Sequence, residues 1–227
     1  MKQNSLRLAI KTIPYALSFK SSVISAAILT VLGLGMLIFG ALTQTPSILS
    51  VWFMIIPSIY VIQMLYSIYG LSSLAMSSAH RKSMLTKVPA VLYTLFMMAA
   101  YLLLVLADAI LLHLAPADEN SFTISLLIGF VVMFILTIYV SFSFRYFIVS
   151  LIMLFIIGGS MGAFTSITIE EGFTFATVPL PFAAVAALGI VVVLLCGGIF
   201  YMISLLLYKR SVSDRIYAAQ LKKAGHA

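Results

Sequence analysis

Apolar runs of about twenty residues, separated by short interruptions, constrain this chain more than any other feature of its sequence. They cover residues 22–42, 51–72, 88–113, 122–143, 146–164 and 182–208. A helix needs about 20 apolar residues to cross the hydrocarbon core of a bilayer. In lipid each backbone N–H and C=O must be satisfied within its own segment, so a run of this kind spans as an α-helix. Hydrophobic residues make up 63% of the chain and charged residues 8%. An ordinary soluble domain carries about 25% charged residues, and a soluble core could not hide this much apolar surface. The pattern predicts an all-α polytopic membrane protein with six transmembrane helices.

The charges set its orientation. The thirteen Lys and Arg residues fall at the N-terminus (Lys2, Arg7, Lys11, Lys20), between the second and third runs (Arg81, Lys82, Lys87), at Arg145, and in the tail (Lys209, Arg210, Arg215, Lys222, Lys223). With six spans all of them lie on one side, and the loop acids Asp118, Glu119, Glu170 and Glu171 lie on the other. Short basic loops stay cytoplasmic, so both termini are expected in the cytoplasm. The net charge of +7 is spread over these loops and tails, which points to membrane topology rather than to nucleic acid. In residues 1–20, Leu6, Ile10, Ile13 and Leu17 recur at helical spacing among the basic residues. This predicts an amphipathic helix lying in the cytoplasmic interface, bent at Pro14. Residues 209–227 form a basic cytoplasmic tail.

Ser77 to Lys87, SSAHRKSMLTK, is the charged interruption of the first half. His80, Arg81, Lys82, Met84, Leu85 and Lys87 are the candidate contact residues for a cytoplasmic partner. The three cations would pair with its acids, and Met84 and Leu85 would fill an apolar pocket. The competing role is to hold topology against anionic lipid. Pro89 sits in the first turn of the third span, where its missing N–H costs nothing.

Several residues inside the spans invite a role. Pro57 should kink the second span, and Trp52 at its start suits an interfacial aromatic belt. Gly33, Gly35 and Gly40 allow close approach in the first span. Gly158, Gly159 and Gly162 are candidates for helix packing, with Gly158 and Gly162 in GxxxG spacing. Gln63 is either interhelical glue or part of a pathway. Asp108 is costly in a membrane, about 3 kcal/mol on insertion scales. It either faces a pathway or vestibule or pairs near a helix end. Residues 165–181, with Glu170 and Glu171, either dip partly back into the membrane or form an external loop, and both acids are vestibule candidates.

No GxxxxGK[ST] or HExxH pattern occurs, so nucleotide hydrolysis and zinc-protease chemistry are not expected here; the one GxSxG match, residues 158–162, lies inside an apolar run rather than at the strand-to-helix turn that a hydrolase nucleophile needs. Asp108 and His113 point about 140° apart on one helix, which separates them as a catalytic or metal pair. Cys196 is the single cysteine, so an internal disulfide is excluded and a small core residue is expected. No cofactor is expected in this chain. The two halves show no repeat of the kind many secondary carriers have.

The layout resembles the membrane subunits of ABC-2-type exporters. Residues 1–20 correspond to that family's elbow helix, 73–89 (with SSAHRKSMLTKVP) to its coupling segment, and 165–181 to the re-entrant elements before its sixth span. The acidic residue often found early in the coupling segment is missing here. The resemblance implies a transport subunit, not an enzyme, that forms the pathway with a second membrane subunit as a homodimer or heterodimer. A separate cytoplasmic ATPase would supply ATP and magnesium, and amphipathic or antimicrobial peptides would be the cargo. It also implies the bacterial cytoplasmic membrane. Two alternatives remain open: the substrate-binding membrane subunit of an energy-coupling-factor-type vitamin uptake system, and a non-transporting immunity or scaffold protein.

Overall fold

The computed structural model describes residues 10–11, 13–16, 19–43, 48–69, 81–114, 119–143, 145–146, 148–149, 151–153, 155–159 and 180–209. These residues are helical throughout, with turns between the helices and no strand among them. After a 3-10 turn at Ile13–Tyr15 come α1 (Phe19–Thr43), α2 (Ile48–Ile55), α3 (Pro57–Tyr69), α4 (Arg81–Leu85), α5 (Lys87–Leu114), α6 (Glu119–Ser143) and α7 (Phe182–Leu207). Further helical residues lie at 148–149, 151–153 and 155–159.

Among the described residues, four helical stretches are long and apolar enough to cross a membrane: Phe19–Gly40, Arg81–Leu114, Phe122–Ser143 and Phe182–Leu207. A shorter apolar stretch covers Ser50–Tyr66. Helices α1, α2 and α6 start three residues before the corresponding apolar runs, and α7 starts at Phe182, where its run does. In particular, α1 begins at Phe19 and takes Lys20 into its first turn. At Pro57, where the sequence predicts a kink, a single turn residue, Ile56, separates α2 from α3. Proline offers no N–H to the preceding turn. The Ile56 N–H donates to the Trp52 carbonyl at 2.9 Å, and the Ser58 hydroxyl donates to the Ile55 carbonyl at 2.8 Å. The second helix then opens on proline, the position that tolerates it best.

Helix α5 is the axis of the bundle. The Tyr93 hydroxyl lies 3.0 Å from the Thr137 hydroxyl of α6, and its ring centroid lies 5.0 Å from that of Phe200 on α7. Thr137 gives its own proton to the Met133 carbonyl at 2.7 Å, so Tyr93 is the donor of that pair. Two turns on, the Tyr101 hydroxyl donates to the Ala186 carbonyl at 2.9 Å, and its ring packs against Phe130. As α5 ascends its partners descend, so α5 runs antiparallel to both α6 and α7. Glycine makes this approach possible. A Cβ at Gly189 would collide with Tyr101 and Phe130, and one at Gly197 with Thr94. On the other flank α1 meets α2 where Gly33 faces Met54, and α2 meets α6 where Gly129 faces Val51. Without a hydrophobic drive between helices in lipid, such close packing and interhelical hydrogen bonds supply the association.

The outside of the bundle is apolar. Leu95, Phe96, Leu102, Leu106 and Ile110 on α5 are exposed, as are Leu188, Val191, Leu194 and Leu195 on α7. The buried set includes Thr123, Ser125, Thr137, Ser141 and Asp108. Water is the wrong solvent for such a surface, and the fold is that of a membrane-embedded helical protein. Trp52 departs from the belt position expected of it. It is fully buried in the core, because α2 starts before it and turns it toward the bundle rather than to the interface.

Candidate functional site

The basic end of the bundle is where α3, α4, α5 and the last turns of α6 and α7 meet. The five residues of α4 pass through Thr86 into α5. The Thr86 hydroxyl donates to the Lys82 carbonyl at 2.6 Å, and the Ala90 N–H donates to the Thr86 carbonyl at 3.2 Å. The Tyr66 hydroxyl at the end of α3 reaches the Leu85 carbonyl at 3.5 Å, tying α4 to α3. Lys82 is exposed and stands 5.7 Å from the centre of the Tyr208 ring. That contact anchors the corner to the end of α7, within the range of a cation–π attraction.

Met84 and Leu85 do not offer themselves to a partner. Both are buried in the chain's own core, so the anchor role expected of them is corrected. The α4 turn lays its apolar pair against the helices it connects and leaves its cations outside. Lys82 and Lys87 are exposed and Arg81 is half-buried. His80 lies outside the described residues.

Arg145 closes the same corner. The chain turns sharply after α6, with the Arg145 and Tyr146 N–H groups both donating to the Phe142 carbonyl, at 3.1 and 3.0 Å. This brings the Arg145 side chain inward. It is 8% exposed, with its guanidinium 5.9 Å from the centre of the Tyr66 ring. Among the described residues its Nη1 has no hydrogen-bond partner, and neither has Nε of Arg81. Burial pushes the Arg145 guanidinium below its ordinary value; the Tyr66 and Tyr146 hydroxyls act against that shift, and Arg81 adds to it. The sequence marks Arg145 only as a topological cation. Its burial follows from the tightness of the turn, which the single residue type does not announce.

The described acids, Asp108 and Glu119, lie toward the opposite end. Glu119 opens α6, and its Oε1 accepts from the Phe182 N–H at 3.2 Å, capping the start of α7 across the bundle. Asp108 continues the buried stripe of Met97, Tyr101 and Leu104 along α5 and is fully buried. Neither carboxylate oxygen has a partner among the described residues. His113 is exposed, and no group of three metal-ligating side chains occurs among the described residues.

The remaining candidates are scattered. Gln63 lies within α3, and its side chain is outside what the structure describes, as are Gly162, Glu170 and Glu171. Gly158 and Gly159 are exposed, and a Cβ on either would meet nothing within 4 Å, so they serve no packing contact among the described residues. The glycines that do the packing, Gly189 and Gly197, stand eight residues apart, about 80° around the helix, and both face α5 side chains; their spacing is not GxxxG. A groove of about 500 Å³ runs between α5 and α7, lined by Lys87, Val91, Thr94, Leu194, Gly198 and Tyr201. It is apolar except at the Lys87 end. Comparison with protein families, curated proteins and solved structures finds no match for the chain.

Proposed function

We propose that this chain is the membrane subunit of an ABC-2-type exporter, driven from the cytoplasm by a separate ATPase. One observation carries the reading. The described cations of the helix ends collect where the short α4 turn joins α3 to α5, and the described acids lie at or near the far end. A transporter with no nucleotide motif of its own must receive work through a contact. That contact has to lie on the cytoplasmic face and connect directly to spans that move. The cations of the α4 corner support the first need by the positive-inside rule, and its connections support the second, since it is covalently continuous with α5 and held to α3 by Tyr66 and to the end of α7 by Lys82.

Six crossings with both termini in the cytoplasm complete the proposal. Helices α2 and α3 together would form the second, and the helical residues between 148 and 159 part of the fifth. A second membrane subunit, identical or related, would cover Gly158 and Gly159. The site for the ATPase is carried by Lys82 and Lys87, with Met84 and Leu85 supporting the turn from within. Amphipathic peptides are the proposed cargo, and the bacterial cytoplasmic membrane the proposed location.

The test is charge reversal of the exposed pair. Affinity purification of the chain from native membranes is expected to bring down a cytoplasmic ATPase, and Lys82→Glu with Lys87→Glu is expected to lose it while the chain still inserts. An ATPase that stays bound, with hydrolysis still stimulated by cargo, would remove the corner as the coupling element. Purification with no ATPase from any native source would favour the scaffold alternative.

A further inference from the structure

The basic end holds a buried cation with no anion among the described residues to match it. Arg145 stands two residues beyond the last residue of α6 and is more than nine-tenths buried, and its Nη1 is unpartnered. Arg81 enters the same corner from α4 with its Nε unpartnered, and it acts electrostatically on Arg145. No acid among the described residues lies at this end. A guanidinium does not shed its proton at physiological pH. Its neutralisation must come from an anion, because leaving a buried charge unpaired is strongly destabilising. The Tyr66 ring packs against one side of Arg145, and a ring face supplies only a fraction of what an anion would.

We infer that Arg81 and Arg145 together hold a phosphate group in the corner formed by α3, α4 and the turn after α6. Two planar forks offering N–H donors suit a tetrahedral anion with several acceptor oxygens better than they suit one carboxylate. The surroundings point to where that phosphate comes from. Lys82 on Tyr208 and Arg145 on Tyr66 form a layer of paired aromatic and basic side chains at the ends of apolar helices. This is the composition of the headgroup zone, and basic pockets between helices on the cytoplasmic side take anionic lipid headgroups. A lipid phosphate and a soluble phosphoester share the chemistry, and the experiment separates them. The inference rests on the membrane assignment but not on the exporter reading, and its failure would leave that reading standing.

The full chain is purified in detergent and delipidated. Its thermal unfolding midpoint is then followed against phosphatidylglycerol, phosphatidylcholine, inorganic phosphate and a polyglutamate peptide. Phosphatidylglycerol is expected to raise the midpoint and phosphatidylcholine to leave it unchanged. Arg81→Gln with Arg145→Gln is expected to need about tenfold more phosphatidylglycerol for the same shift, the size of losing a charge-assisted hydrogen bond. Lys20→Gln with Lys209→Gln removes equal charge from exposed positions and is expected to change the response less than twofold. Where Arg145→Gln does not fold, Arg81→Gln and Arg145→Lys make the same comparison, since lysine keeps the charge and loses the fork. Inorganic phosphate matching phosphatidylglycerol, with the same loss in the arginine variants, would assign a soluble phosphate to the site. Three results would overturn the inference. The arginine variants could respond as the wild type does. The polyglutamate peptide could stabilise where phosphate does not, marking a protein-binding surface. Or Asp214→Asn could lower the midpoint of a wild type indifferent to phosphate, marking neutralisation by the chain's own tail.

Discussion

Arg145 at one end of the bundle and Asp108 near the other are both buried, and each has polar atoms without a partner. Their surroundings differ. Arg145 sits among tyrosines and a second arginine at a turn that faces the headgroup zone. Asp108 sits inside an apolar stripe, one and a half turns from the end of α5, where the nearby Tyr101 hydroxyl is committed to a backbone carbonyl. A carboxyl can neutralise itself by taking a proton, whereas a guanidinium cannot. The same defect therefore has two remedies. The acid needs nothing from outside, and the cation needs an anion. The contrast teaches that charge sidedness in this protein is built into the packed interior as well as into the loops.

Substitutions that remove the acid's remedy should have the largest effect. Asp108→Lys puts a base where the acid was, and it is expected to cost about 3 kcal/mol and to leave little folded protein on gel filtration in detergent. Asp108→Asn keeps the shape and is expected to unfold at the same temperature as the wild type or higher. An Asp108→Asn variant that unfolds much earlier would show that the acid is held ionised by a partner, and the contrast with Arg145 would fall.

A smaller effect separates packed glycines from open ones. Gly189→Leu drives a side chain into Tyr101 and Phe130 beside the acid end, and overpacking of this kind costs about 2 kcal/mol. Gly158→Leu enters open space within the chain and is expected to leave unfolding of the monomer unchanged, altering only association with a second subunit. Thermal unfolding of the two variants, with their oligomeric state measured alongside, checks both. Equal destabilisation of the monomer would mean that residues 155–159 pack within the chain after all.

Much of this was legible before any coordinates. Long apolar runs announce helices because lipid leaves the backbone no other solution, and Pro57 announces its break because it lacks an N–H. The sorting of charge needed only the order of runs and loops. Which face each helix buries was not legible. A helix apolar on all sides has almost no periodic signal to show which side meets its neighbours. That is why the burial of Trp52, at the start of an apolar run, and the close contacts of Gly189 and Gly197 could not be read from the sequence. Aspartates at Met84 and Leu85 would bury two acids and break the fold, whereas Lys82 and Lys87 can be changed without touching the core.

The sorting of charge across the membrane is the central claim, and thiol labelling in intact cells tests it most directly. Cys196 is the one native cysteine and is buried, so Cys196→Ala gives a silent background. Lys82 and Glu119 are both exposed and mark the two ends. With a membrane-impermeant reagent added outside, Glu119→Cys is expected to label at once and Lys82→Cys only after the cells are permeabilised. Labelling of both from the same side, or of Lys82→Cys alone, would contradict the account.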